Sequence, residues 1–366
     1  MSWRWREEEG TRGAVVVTGA AGFIGMHASA ALSEAGFHVV GLDSFEDYDG
    51  AAHLKRDRAR VLWDTHSVEV IEGDVRDTLS CVLDRMPERS HVLHLAARAG
   101  VRASVRDPRP YIRDNVELFV DLLEALKGRP EARLTYASSS SVYGGGRPGA
   151  DGYAEGGACG ADPESVYAAT KLADELLAGV YAKLHGVASL GLRFFTVYGD
   201  YGRPDMAIYS FTNRIRRGQP VTLYESRGRG DGDTAEGAAG SAAREPLRRD
   251  FTHVSDIASG IVRAVSLHAR VLAANVSVLN LGRGRSESIP RLVDLIEEGL
   301  GVNASRVYLP MPPGDVPATH ANIALAESLL GWTPAVDLAQ GIPSFLAWHT
   351  LYHRSEQPTQ HEGHAE

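Results

Sequence analysis

The stretch 14-AVVVTGAAGFIGMHASAALSEAGFHVVGLD-43 decides the fold of this 366-residue chain. Ala14–Thr18 is an unbroken β-rich run, and a strand without polar alternation is one buried on both faces. Gly19, Gly22 and Gly25 follow at Gly-x-x-Gly-x-x-Gly spacing, and they open a helical stretch over 22–35. A second strand follows at 38–42. Glycines between a strand and a helix allow a tight turn and let backbone approach a ligand closely. The opening turn of the helix offers unpaired N–H groups and the positive end of a dipole, which together bind anions. A glycine triplet alone is a weak signal; its place between a strand and a helix gives it meaning.

Asp43 closes the second strand, about twenty residues beyond the glycines. A carboxylate there bonds an adenosine ribose 2′-hydroxyl and repels a 2′-phosphate. No arginine stands directly beside it in the sequence. The expected cofactor is therefore NAD rather than NADP, with its pyrophosphate on the glycine turn.

Outward from this stretch the alternation continues. Strands are expected at 68–72, 91–95, 133–137 and 188–194, and helices at 110–127 and 165–184. Val116, Phe119, Val120 and Leu123 give the first of those helices its apolar stripe. The fold class is α/β, with a doubly wound parallel Rossmann sheet over 13–195. A smaller C-terminal α/β substrate domain is expected over 196–352, with about 250–282 returning to the Rossmann part. Within it the pattern predicts helices at 206–217, 288–300 and 321–331 and a strand at 221–225. Residues 226–244, rich in Gly, Ala and Arg, read as a flexible surface insertion, and the polar stretch 353–366 as a disordered tail.

Composition narrows the function. Apolar residues make up 43% and charged residues 23%, ordinary for a globular protein, and the formal charge of -9 argues against nucleic acid as a partner. Two cysteines, Cys81 and Cys159, make neither a disulfide framework nor a metal-ligand pattern and read as idle thiols. His94 and His320 lack paired ligand spacing and read as structural, so no metal is expected. The first ten residues have no apolar core, and no segment has the length of a membrane span. The expectation is a cytoplasmic enzyme, with an upstream anchor left open.

Two motifs carry chemistry. Tyr167-Ala-Ala-Thr-Lys171 lies on the expected helix 165–184, and residues four apart share a helix face. A phenol, with its ordinary pKa of about 10, is a poor base until a neighbouring ammonium and a positive nicotinamide ring favour the phenolate. Upstream, Ala137-Ser138-Ser139-Ser140-Ser141-Val142-Tyr143-Gly144 places four serines at the C-terminal end of a strand, where doubly wound sheets put their ligands.

Together these motifs resemble those of the extended short-chain dehydrogenase/reductase family, in its nucleotide-sugar epimerase and dehydratase branch. The resemblance implies a triad of Ser139, Tyr167 and Lys171. It implies cofactor contacts from Gly19, Gly22, Phe23, Ile24 and Gly25, and from Asp43, Asp74, Val75, Leu95, Ala96, Ala97 and Asn115. Dehydratases and sugar-acid decarboxylases of the family carry an acid just after the catalytic Ser/Thr. Here Ser140 and Ser141 stand there, which disfavours dehydration and leaves reversible oxidation at C4.

Residues 96–102, 192–199, 202–207, 249–252, 314–316 and 319–322 are similar to segments of UDP-glucuronate 4-epimerases, and the resemblance spans about 14–350. It implies interconversion of UDP-glucuronate and UDP-galacturonate through a 4-keto intermediate with tightly bound NAD. The alternatives are a 4-epimerase of a neutral UDP-hexose or of a pentose, a UDP-glucuronate decarboxylase, and a non-catalytic NAD-binding regulator. Ser140, Ser141 and Thr196 are the candidates for the sugar carboxylate, since hydroxyl donors fix it without crowding it. The resemblance brings Arg102, Arg203 and Arg249 to the substrate with its diphosphate, Tyr224 to uracil and Asp315 to ribose. It also implies a homodimer through helices 110–127 and 165–184. Asp200-Tyr201, where the family often has a proline, and the insertion depart from the pattern.

Overall fold

A computed structural model describes residues 11–47, 52–145, 150–156, 162–227 and 244–355. Seven parallel strands form the central sheet: β1 (Ala14–Thr18), β2 (His38–Asp43), β3 (Glu69–Glu72), β4 (Ser90–His94), β5 (Arg133–Ser139), β6 (Ala188–Phe194) and β7 (Val278–Leu281). Their order is β7-β6-β5-β4-β1-β2-β3. Val15 pairs with Val39 of β2 on one side and with His91 of β4 on the other. The winding direction reverses between β1 and β4, and their carboxyl ends open a crevice there, the place where such sheets bind ligands.

Residues of β1 alternate between two cores, as the strand repeat demands. Val15 and Val17 join Phe23, Leu32, Leu93, Leu192, Ile261 and Trp332 on one face. Ala14 and Val16 join Val92, Leu122, Leu123 and Leu134 on the other. Burial of each such valine stabilises by about 1.5–3 kcal/mol, so continuous apolar strands need helices on both faces. The helix Phe23–Glu34 packs against the helix Val254–Ser266 on the first face.

The second lobe is a three-stranded sheet, Arg306–Pro310 parallel to Val221–Arg227, which pairs antiparallel with Arg244–Pro246. The helices Ala207–Arg216, Ile289–Leu300 and Leu338–Ser355 cover it through Ile208, Leu292, Ile296 and Phe345. The chain crosses between the lobes, and Val278–Leu281 joins β6 as the seventh strand.

Several elements differ from the sequence expectation. The helix Ala52–His66 was not foreseen, because its buried stripe is Leu54, Arg58 and Leu62, with a charge at its centre. The expected helix 110–127 is broken into Arg109–Tyr111, a π-turn at Ile112–Glu117 and Leu118–Leu126. The widened turn carries buried Asn115, whose side chain ties the turn to the loop after β4. The ends of the expected insertion are hairpin arms, with Ser226 paired to Glu245; residues 228–243 lie outside the described residues. The expected tail begins inside a helix that runs to Ser355, where His353 shares a hydrogen bond with Tyr209 at 3.0 Å; residues 356–366 and Cys159 lie outside the described residues. The helix at 321–331 is shorter, Ala324–Leu330, because the N–H of Ala321 donates to Asp250 Oδ2 instead.

Candidate active site

The glycine turn follows β1 at close quarters with its neighbours. Gly19 has φ +71°, its N–H donates to Leu42 O at 2.7 Å, and a Cβ on it would stand 2.7 Å from Ala96 N. A Cβ on Gly25 would stand 2.0 Å from Gly19 O. These two glycines are therefore required by sterics, and the helix starting at Phe23 points its N-terminus past them.

Beside the turn lies a cavity of about 290 Å³ lined by Gly19, Gly22, Phe23, Ile24, Gly25, Asp43, Asp74, Val75, Leu95, Ala96, Ala97, Ser139, Tyr167 and Lys171. Asp43 is buried and accepts from the N–H groups of Ala21 at 3.1 Å and Phe45 at 2.8 Å. Lys55 adds a 3.2 Å ion pair to the same carboxylate. Thus the cation beside Asp43 comes from the unforeseen helix. Asp74 caps the helix Val75–Leu83 by accepting from Arg76 N at 2.8 Å. Asn115, expected at the cofactor, is not among the cavity residues. It accepts from Arg98 N at 2.8 Å and donates to Arg98 O and Thr170 Oγ1. Its contacts are those of a brace for the wall residue Arg98, which is itself paired with Asp114 and Glu46.

A second cavity of about 280 Å³ adjoins the first. Ser139, Tyr167, Phe194, Phe195, Arg203 and Met206 line both. Ser140, Ser141, Thr196, Arg249 and Asp315 line only the second. Ser139 ends β5, and its Oγ accepts from Ser141 N at 3.2 Å and from Ser141 Oγ at 2.9 Å, which fixes the 3₁₀ turn Ser140–Tyr143. Tyr167 enters from the helix Val166–His185, capped by Ser165, and its N–H donates to Ser104 Oγ at 3.1 Å. Lys171, one turn on, is buried and pairs with Asp174 at 3.1 Å. Ser138 also lines the first cavity, and its hydroxyl donates to Glu175, which holds Arg193 through 2.8 Å and 2.7 Å bonds. His94, buried behind the site, is pulled down to about 3 by burial and then by the Lys171 charge, so it is a neutral partner of Thr18 at working pH. His320 shares a hydrogen bond with Gly284 O at 3.0 Å.

The second cavity also has arginine–aspartate pairs in and behind its wall. Arg249 is half-buried, with its side chain 14% exposed; desolvation lowers its pKa, and it pairs with Asp315. Asp315 also takes Arg102 at 3.3 Å, and the Arg102 guanidinium lies 4.6 Å from the Tyr224 ring centre. Arg102 and Tyr224 are not among the residues lining either cavity; they stand behind Asp315 as a stacked pair. Arg203 binds Asp205 through 3.0 Å and 2.6 Å bonds. Next to Arg249, fully buried Asp250 accepts from the N–H groups of Arg283, Gly284 and Ala321 and from Thr252 Oγ1. One carboxylate thereby ties two distant segments, 283–284 and 321, to the strand that carries the arginine.

Sequence reasoning missed Lys55, Arg98, Met206, Phe194 and Phe195 as wall residues. Arg98, Phe194, Phe195 and Met206 lie in the segments 96–102, 192–199 and 202–207 that carry the resemblance, and Asn115 beside Arg98 was the usable signal for it. Lys55 gave none, because the helix that carries it was unread.

The sequence model of the family described as "NAD dependent epimerase/dehydratase family" matches residues 15–282. "UDP-glucuronate 4-epimerase 1" of Arabidopsis thaliana is 40% identical over 350 residues, 93% of this chain and 77% of that protein. "Protein CapI" of Staphylococcus aureus is 34% identical over 93% of this chain and 99% of its own length. The crystal structure of UDP-glucuronic acid 4-epimerase from Bacillus cereus, in complex with UDP-glucuronic acid and NAD, aligns with a TM-score of 0.77. It is 32% identical, and the alignment covers 93% of this chain and 99% of that one.

Proposed function

The chain belongs to the NAD dependent epimerase/dehydratase family, and on that premise we propose that it is a UDP-glucuronate 4-epimerase that interconverts UDP-glucuronate and UDP-galacturonate. The observation that carries this reading is the wall of Ser139 and Tyr167 between two adjoining cavities. One cavity has the glycine turn and Asp43 of a dinucleotide site; the other has the hydroxyls of Ser140, Ser141 and Thr196 and the guanidinium of Arg249 in its wall, with Arg203 shared by the two.

The residues present fit NAD. The steric closeness of Gly19 and Gly25 brings bare backbone to the cavity, and Asp43 suits a free ribose hydroxyl. NAD, when bound, supplies reversible oxidation at C4 of the sugar, and because it is regenerated within each turnover it need not leave.

Tyr167, as phenolate, takes the proton of the C4 hydroxyl and later returns it. The Lys171 ammonium on the same helix face favours that phenolate. Ser139 bonds the same sugar oxygen. Inversion requires the 4-keto sugar to turn over in the pocket while its nucleotide stays held; Arg249 and Arg203 suit the diphosphate. A diphosphate there competes with Asp315 for Arg249, so Asp315 is a latch as much as a ribose ligand. A 4-keto glucuronate is a β-keto acid and loses carbon dioxide when its carboxylate bond aligns with the carbonyl π system. Ser140, Ser141 and Thr196 fix the carboxylate out of that alignment, and no acid stands at 140 or 141 to promote elimination.

We read the subunits as pairing through the helix Val166–His185, where Leu176, Val180 and Leu184 form an exposed stripe at four-residue spacing, and through Ile112 nearby in the chain fold. Sedimentation of the purified protein tests this, and a monomer at micromolar concentration refutes it. We also read the substrate domain as 196–352, with about 250–282 returning to the Rossmann part over 13–195. For the activity, the protein is incubated separately with UDP-glucuronate and UDP-glucose and the products are separated by chromatography. UDP-galacturonate is the expected product. Carbon dioxide with UDP-xylose as the main products, or turnover of UDP-glucose alone, refutes the reading.

A further inference from the structure

The Tyr-x-x-x-Lys motif does not require an acid one turn beyond the lysine, yet this chain has Asp174 there. Lys171 and Asp174 are 3% and 1% exposed, and Nζ lies 3.1 Å from Oδ2. Among the described residues no other carboxylate lies within ion-pair distance of Lys171. The second oxygen of Asp174, Oδ1, is buried and has no hydrogen-bond partner. A buried carboxylate with half its acceptors unused costs stability unless its charge serves a neighbour.

The groups packed around the pair leave Asp174 that one role. On its own helix, Glu175 is committed to Arg193 of β6 and to Ser138 of β5. Tyr136 of β5 is raised far above the usual phenol range, by burial first and then by Glu175 and Asp174, so it stays neutral. His94 of β4 is neutral as well. Tyr167 is the remaining titratable group on the helix face that carries Lys171.

We propose that Asp174 is a positioning residue for the epimerase reaction: as a carboxylate it anchors the Lys171 ammonium beside Tyr167, and its protonation releases that anchor and sets the acid side of the activity profile. The inference rests on the reading of Tyr167 and Lys171 as the catalytic pair. It has support from electrostatics. Burial pushes the Asp174 carboxyl up to about 6, against the opposing pull of Lys171, so the anchor changes charge close to neutral pH. Below that pH the charged bond becomes an ion–dipole contact of about half the strength.

The test uses Asp174→Asn, which keeps shape and removes charge, and Asp174→Glu, which keeps charge. At pH 8, Asp174→Asn is expected to lower kcat about tenfold with KM for UDP-glucuronate within about twofold, the loss expected from one charge-assisted bond. Wild type is expected to lose kcat as pH falls through about 6; the Asp174→Asn profile should lack that fall, while Asp174→Glu retains it and most of the rate. A purely structural role would lower the rate at every pH and leave the fall in place, which overturns the proposal.

A readout free of turnover uses the wild-type protein. The chain has four lysines, Lys55, Lys127, Lys171 and Lys183, so ε-¹³C-lysine labelling gives few signals, and Lys171→Arg identifies the relevant one. That signal should step between pH 5 and 7 in wild type; absence of the step overturns the proposal even where Asp174→Asn fails to fold. Failure of the parent reading is separate: Tyr167→Phe would then turn over at the wild-type rate.

Discussion

Gly25→Ala is the substitution whose effect the structure fixes best. The added Cβ would stand 2.0 Å from Gly19 O, 2.8 Å from Gly19 C and 3.0 Å from Ala20 Cα, all backbone atoms. The Gly19 carbonyl must therefore retreat by about 1 Å merely to reach the tightest contact seen in proteins. It is not free to do so. It accepts from Gly22 N at 2.9 Å, its residue's N–H donates to Leu42 O at 2.7 Å, and Ala96 backbone packs against the Gly19 α-carbon. Overpacking of about 1–3 kcal/mol plus one lost backbone hydrogen bond of about 1 kcal/mol gives about 3 kcal/mol of destabilisation. The same shift moves the N–H groups that would hold the pyrophosphate on the proposed reading, and loss of one such charged bond would weaken NAD by about 10- to 100-fold.

Urea midpoints of the NAD-free protein read the first effect. NAD released per chain on heat denaturation, quantified by chromatography, reads the second. Gly128→Ala is the control: no atom lies within 4 Å of its Cβ position, and it should match wild type or gain up to about 1 kcal/mol. A Gly25→Ala protein with wild-type NAD content and an unchanged midpoint would refute the steric argument.

Three further outcomes follow from particular residues. Burial pushes the Asp200 carboxyl up to about 6. Since the unfolded carboxyl titrates near 3.9, the fold holds the proton more tightly, and this stabilisation is full below pH 4 and lost as pH rises through 6. Asp200→Asn should thus be more stable than wild type by about 1–2 kcal/mol at pH 7.5, discounted for partial exposure, and nearly equal to it at pH 4.5; the same difference at both pH values in urea titrations would count against this. Arg58 is buried and donates to the carbonyls of Ala21, Tyr201 and Gly202, so Arg58→Met strands acceptors in the glycine turn and in the loop at 201–202. A loss of about 3 kcal/mol is expected in thermal unfolding, and a change in Tm below about 1 °C would contradict it. Finally, Ser140→Ala with Ser141→Ala should raise the ratio of decarboxylated product to UDP-galacturonate; an unchanged ratio by chromatography rejects their carboxylate role.

The chain's own order of residues determined the part of this protein that is local or periodic. Unbroken apolar strands such as Ala14–Thr18 announce a sheet covered on both faces, and glycines at 19, 22 and 25 announce a turn that backbone sterics then require. Asp43, Ser139 and Tyr167 were legible because each sits at a fixed offset from a strand end or a helix start. What only the tertiary structure decided are the contacts between residues far apart in sequence. Lys55 reaches Asp43 from a helix whose buried stripe contains an arginine, so hydrophobic periodicity could not reveal it. Asp250 joins residues 283, 284 and 321, and Asp315 joins Arg102 to Arg249, pairings that no spacing rule encodes. Asn115 was readable as a residue but not as a brace, since its role depends on a π-turn that helical periodicity averages over. The physical reason is one of range. Backbone sterics and side-chain repeat act over a few residues and leave a trace in the sequence, whereas the partner of a buried charge is chosen by desolvation once the chain has folded around it.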